Sequence, residues 1–349
     1  RRLSHFFMLS RKLEFLAVDE DLAERKAARI GLTNPELAVL LAYSKIELYD
    51  EVLASDVPED PYISTALERY FPAPLRTRFG GQIQHHALRR EIISTHVVNS
   101  MVNRVGPTFA GRLKSEQGVR APDVVRAYMA TREVFGLVDV WAQIEALDNQ
   151  LDHAVQVDLM SACDRLVQRG SLWFLRHPEW LSDLQATLHH FSPGVAALAG
   201  DLLALVGDAY RSELEATVRR AVDQGVPQAL AERVAALDEL YSALDLVEIA
   251  VETQRPEPFV ARVYFGLGGD LELHWLGQQI SALATENRWQ VLARGALRSD
   301  LSALARSLTT NALQLTVDED DAQQVMAAWY QRQGARLERY RQLLGDMRS

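Results

Sequence analysis

Apolar residues recur along this chain at three- and four-residue steps almost without interruption, the spacing of helices that each bury one stripe. Thr33 and Glu36 bracket Asn34-Pro35 as a capping box, so a helix is expected from about residue 34, with Leu37, Leu41, Leu48 and Val52 as its stripe. Asp60-Pro61 opens another helix, which Pro72 and Pro74 end. A long helix is expected over 82–105, with Leu88, Ile92, Thr95, Val98, Val102 and Val105 on one side and Gly106-Pro107 as its stop. Shorter helices follow near 107–117 and 122–135, then segments near 137–176, 178–190, 194–224, 227–252 and 257–285. Leu297, Leu301, Leu304, Leu308, Asn311 and Leu315 space as a heptad seam. The last helix starts near the acidic run at 318–321, where the macrodipole favours carboxylates, and carries Val325, Trp329, Leu337, Tyr340 and Leu344. Alternating strand patterns are few, and Asn-Gly or Asp-Gly hairpin turns are missing. The expectation is an all-α fold, an irregular array of about a dozen helices in two subdomains, 1–136 punctuated by prolines and 137–349 of longer, bundle-like helices.

Charge narrows the partners. A net charge of −10 and a pI near 5.5 argue against nucleic acid, which selects a basic face, and against anionic membranes. No apolar run approaches the ~20 residues that span a bilayer. Cys163, the single cysteine, excludes an internal disulfide, fits a reducing, cytoplasmic compartment, and reads as a small buried hydrophobe. The chain opens Arg1-Arg2-Leu3, without an initiator Met, and runs straight into helix-like sequence, as a piece of a longer polypeptide would.

Candidate chemistry is sparse. Gly266-Leu267-Gly268-Gly269 lacks the dinucleotide spacing and reads as a helix C-cap before a helix near Asp270. His85-His86 and His189-His190 are adjacent pairs, which point about 100° apart on a helix and make poor joint ligands. Asp148 and Asp152 are spaced to share a helix face as a divalent-metal pair, although such carboxylates, like Asp238, Glu239 and Asp245, are more often a solvated face. The expected 82–105 helix carries more. His96, Asn99 and Asn103 line one flank of it, with Arg89, Arg90, Glu91 and Arg104 around them. Such groups need partners on a neighbouring element. Those partners lie either across helices inside the domain or at an interdomain or intersubunit contact. Tyr43, Lys45, Glu47 and Tyr49 read as packing and surface pairs, with an interface as the alternative.

One stretch is distinctive. The run Gly31-Leu32-Thr33-Asn34-Pro35-Glu36-Leu37-Ala38-Val39-Leu40-Leu41-Ala42-Tyr43-Ser44-Lys45 resembles the corresponding run of the large bacterial NAD-specific glutamate dehydrogenases. The resemblance continues through Leu53-Ala54-Ser55-Asp56-Val57-Pro58, Tyr70-Phe71-Pro72, Leu88-Arg89-Arg90-Glu91-Ile92-Ile93 and Val102-Asn103-Arg104-Val105-Gly106, and later at Tyr264-Phe265, Trp275-Leu276 and Trp289-Gln290-Val291-Leu292-Ala293-Arg294. It is strongest over 31–106 and weaker from about 140 to 255. It implies the C-terminal region of an enzyme that converts L-glutamate to 2-oxoglutarate and ammonium with NAD. The NAD and substrate motifs of that family lie upstream, so no catalytic, cofactor or metal position is carried over. The implied partners are the catalytic core of the same polypeptide and further copies in a homo-oligomer. Two other readings compete: a stand-alone helical adaptor that takes a partner helix or peptide in an apolar groove, and an all-α metal enzyme built on Asp148 and Asp152.

Overall fold

The computed structural model describes residues 16–316 and 319–348, and among these every regular element is helical. In chain order the α-helices are α1 (Asp19–Ala27), α2 (Asn34–Leu53), α3 (Ala66–Tyr70), α4 (Ala73–Gln84), α5 (Arg89–Val105), α6 (Phe109–Gln117), α7 (Ala121–Val134), α8 (Leu137–Glu145) and α9 (His153–Arg176). They continue as α10 (Leu184–Leu205), α11 (Asp208–Asp223), α12 (Gln228–Ala235), α13 (Leu237–Leu240), α14 (Ala243–Thr253), α15 (Glu257–Asp270), α16 (Leu273–Ala282), α17 (Arg288–Leu315) and α18 (Ala322–Arg348). The class is all-α, with eighteen helices among the described residues instead of about a dozen. The excess arises where expected long segments break. Residues 137–176 divide around a left-handed Asn149 and 257–285 around a left-handed Glu272, each in a connection between helices where the pattern alone runs on. The chain forms two compact units, one of residues up to 132 with 167–188, the other of 133–166 with 189 onward.

In the first unit the capping box forms as expected. Thr33 donates its backbone N–H and its hydroxyl to Glu36 Oε2, both at 2.8 Å, and α2 begins at Asn34. Arg25 of α1 adds an ion pair at 2.8 Å, and these donors hold the nearly buried Glu36 carboxyl below its usual pKa, the Thr33 N–H first. Half of the expected stripe below the cap is buried, Leu48 and Val52. Leu37 and Leu41 are 41% and 40% exposed, and the buried line is Leu40, Ser44, Leu48 and Val52. The expected 82–105 helix is two helices: α4 ends at Gln84, and α5 begins at Arg89 after a turn in which His86 Nδ1 accepts the Leu88 N–H at 3.1 Å. Leu88 is 54% exposed and Thr95 lies outside, while Ile93, Ser94, Val97, Val98 and Met101 face the core. At 100° per residue the buried face is turned by about 100° from the expected one. In both helices the apolar arc is wider than one contact line, and the packing of α2 and α3 on α5 selects the line. Gly106, with φ +79°, ends α5 as expected.

In the second unit α15 lies at the centre, packed on α14, α16, α17 and α18, with Val260, Ala261, Val263 and Phe265 fully buried. This placement corrects the reading of Gly266-Leu267-Gly268-Gly269 as a helix C-cap. All four sit inside α15, and a Cβ on Gly266 would stand 2.5 Å from the Met326 sulfur, one on Gly268 3.2 Å from the Tyr210 hydroxyl. These two glycines let α18 and α11 approach the helix. Asn287 caps α17, its Oδ1 accepting the Gln290 N–H at 3.0 Å. The heptad seam on α17 is largely outside: Leu297, Leu304 and Leu315 are 44%, 44% and 39% exposed, whereas Ala305, Thr309, Ala312, Leu313 and Thr316 are buried. Asp321 caps α18 by accepting the Gln323 and Gln324 N–H groups, and Val325, Trp329, Leu337 and Leu344 of that helix are buried. Asp318 of the expected acidic start, and the opening Arg1-Arg2-Leu3, lie outside the described residues.

Candidate functional site

The polar band of α5 is the densest group of sequence candidates, and it divides into two parts. At the N-terminal end, Arg90 reaches back to the end of α2. Its Nη2 donates to the Leu53 and Ser55 carbonyls at 2.6 and 2.9 Å, and its Nη1 lies 2.5 Å from Glu59 Oε1. The last carbonyls of a helix have no partner within it, and a cation there also matches the macrodipole. Arg90 therefore ties α2, the 3-10 turn Val57–Glu59 and α5 together. Arg89 stands 3.7 Å from the same Glu59 oxygen, and its Nε is buried without a hydrogen bond. Glu91 is half-buried.

Further along, Ser100 is the junction between α5 and α7. Its hydroxyl shares a 3.0 Å hydrogen bond with Tyr128 and accepts one of 2.9 Å from Arg132, whose guanidinium lies 6.0 Å from the Tyr128 ring centre. Tyr128 is fully buried, and burial raises its pKa against the opposing pull of the Ser100 bond and of the Arg132 and Arg104 charges. Ser100, Tyr128 and Arg132 escape the sequence reading because α7 is recognisable as a helix but not as the neighbour of α5. Among the expected band residues His96 is half-buried, Asn99 has a buried Oδ1 without a hydrogen-bond partner, Asn103 is exposed and Arg104 half-buried.

His96 is held below the usual histidine range, by burial first and then by the charges of Arg132 and Arg69. The unfolded chain therefore takes up this proton more readily, beginning near an ordinary pKa of about 6.5. Stability is highest above that value and falls as pH drops towards the lower folded pKa. In urea titrations His96→Gln is expected to lose less stability than the parent between pH 7.5 and 5.5. An equal loss in both proteins would remove His96 as the cause.

Most of the remaining candidates meet a partner within their own unit. His85 Nδ1 is 2.8 Å from the Gly81 carbonyl oxygen, and His190 pairs with Glu248 at 2.9 Å. Asp148 and Asp152 do not share a helix face: both lie in the connection between α8 and α9, where Asp148 accepts the Asn149 N–H and Asp152 accepts the Ala154 N–H. This removes the geometric premise of a metal pair. Asp238 is exposed and 3.5 Å from Arg165, but Asp245, expected on a solvated face, is 5% exposed and 3.1 Å from Arg306 of α17. Cys163 is fully buried within α9. Tyr43, Lys45, Glu47 and Tyr49 are half-buried on α2. In the first unit a cavity of about 420 Å³ is lined by Asp56, Asp123, Arg126, Leu175, Pro178 and Leu181. There the mostly buried Arg126 lies 2.8 Å from Asp56 and holds that carboxyl below its usual range.

The arrangement supplies interhelical ties, with carboxylates neutralised by guanidinium groups. A phosphate cradle needs backbone N–H groups open at the turn before a helix, and the glycine cluster lies within α15 with Met326 and Tyr210 against two of its glycines.

Comparison with known families gives this helical array a place. Residues 29–349 match the family described as "Glutamate dehydrogenase, C-terminal". The chain belongs to that family. It is 40% identical over 341 residues to an NAD-specific glutamate dehydrogenase of Pseudomonas aeruginosa, and 36% and 35% identical to those of Halomonas elongata and Mycobacterium tuberculosis. Each match covers 98% of this chain but only 21% of the relative. The Thr33–Glu36 cap and the Arg90 tie both fall within this glutamate dehydrogenase C-terminal match. Among the described residues no single helix is long and apolar enough to cross a membrane.

Proposed function

We propose that this chain is the non-catalytic helical C-terminal region of a large, cytoplasmic NAD-dependent glutamate dehydrogenase. The parent subunit deaminates L-glutamate oxidatively to 2-oxoglutarate and ammonium, with NAD as the acceptor bound elsewhere in the subunit. The helical region packs on the catalytic core and supports assembly of the homo-oligomer or its regulation. The observation that carries this reading is the ratio of coverage: nearly all of this chain answers to about a fifth of each relative.

The test compares glutamate-dependent NADH formation and mass by light scattering for three samples: the whole subunit, the subunit truncated before residue 1 of this chain, and this chain alone. The chain alone is expected to be inactive, and the truncated subunit to lose either its assembly state or its activity. A truncated subunit with full activity, unchanged regulation and unchanged mass would overturn the reading, as would turnover by the chain alone.

A further inference from the structure

Among the described residues the leucine seam of α17 has no cover. Leu297, Leu304 and Leu315 fall within about 20° of one another around the helix axis, along about 27 Å, and all three stand out to solvent. Half-buried Leu301 and Leu308 complete the line. The buried side of the helix, Ala305, Thr309, Ala312 and Thr316, lies about a quarter turn away. Half of a wide apolar arc is thus spent on this chain's own core, with Leu301 against Gly277 of α16, and half is left outside. Trp289, near the start of the same helix, is 79% exposed and extends the apolar surface.

Spacing and charge describe what would cover it. Steps of four and three repeated over Leu297–Leu315 are the pattern into which the side chains of a facing helix interlock. The sequence of α17 carries Arg288, Arg294, Arg298 and Arg306 against Asp300, and with Arg306 paired to Asp245 the helix keeps a net +2 within a chain of −10. Arg294 and Arg298 lie along one flank of the seam, on the side where both reach Ser281. A second copy would bring a helix of the same net positive charge, so charge disfavours it and favours acidic flanks. The relatives are also about five times as long as this chain, so most of such a subunit lies outside it.

We infer that the Leu297–Leu304–Leu315 seam of α17 is a docking surface for an amphipathic helix with acidic flanks, supplied by the remainder of the same enzyme subunit. This rests on the function proposed above. The test adds the chain in trans to the subunit truncated before residue 1 and measures binding by sedimentation. The Leu297→Glu, Leu304→Glu double variant and Arg298→Glu should each weaken the complex at least tenfold. Leu297 and Leu304 are on the surface of α17, so the melting temperature of the chain alone should hold in the double variant, while Arg298→Glu also gives up the bond to Ser281. A photo-crosslinker at the exposed Ser307 of the whole subunit should capture an acidic helix outside this chain. Undiminished binding of the double variant, or an adduct joining two copies of α17, would overturn the inference. If truncation proves harmless, the functional reading fails; if truncation matters but the seam variants bind normally, only the seam inference fails.

Discussion

Trp329→Ala is expected to cost the chain about 3–5 kcal/mol, the usual range for deleting a buried aromatic ring. Trp329 is 3% exposed at the contact of α18 with α17, and its indole N–H donates to Asn311 Oδ1 at 2.9 Å. Removing the ring opens a void between two long helices, and total stabilities are typically only about 5–15 kcal/mol. For a unit of roughly 200 residues this lowers the melting temperature by about 10 °C. Trp329→Phe separates the two contributions. It keeps most of the volume and loses the donor, and Asn311 is exposed, so water can take the donor's place. That variant should cost only about 1–2 kcal/mol. Calorimetry of both variants is the check, and a shift of less than 2 °C for Trp329→Ala would mean that α18 is not held through this residue.

Arg90→Ala is the second large effect, about 2 kcal/mol after discounting for a side chain that is 40% exposed. Three acceptors lose one donor group: the Leu53 and Ser55 carbonyls at the end of α2, and the Glu59 carboxylate in the turn below. Arg90→Lys should recover less than half of the loss, because one ammonium cannot reproduce a planar fork that serves two carbonyls and a carboxylate at once. Urea unfolding measures the loss, and hydrogen exchange locates it. Amides between 54 and 60 should exchange faster in the alanine variant while those of α15 do not. Uniform acceleration across both would mean that Arg90 acts on overall stability alone.

Legibility in the sequence followed the range of each interaction. The cap of α2 by Thr33 and Glu36 was readable because donor and acceptor lie three residues apart, and Gly106 was readable as a stop because a positive φ favours glycine whatever surrounds it. The polar band of α5 was readable as residues in need of partners. Its partners were not: Arg90 meets Leu53 across 37 positions, and Arg132 meets Ser100 across 32. The glycines of α15 were misread for the same reason. A glycine cluster signals a cap or a close approach equally, and only Met326, sixty residues on, distinguishes them.

By itself, then, the sequence determined that the chain is helical, where several of its helices begin and end, and which family it resembles, since capping, backbone freedom and motif spacing are all local. Tertiary structure decided which side of each helix is inside. The apolar arcs of α2, α5 and α17 are wider than any single contact line, so periodicity permits several buried stripes, and only the neighbours packed against each helix select one. That selection buries Leu40 in place of Leu41, turns α5 on its axis, and leaves the leucines of α17 facing out.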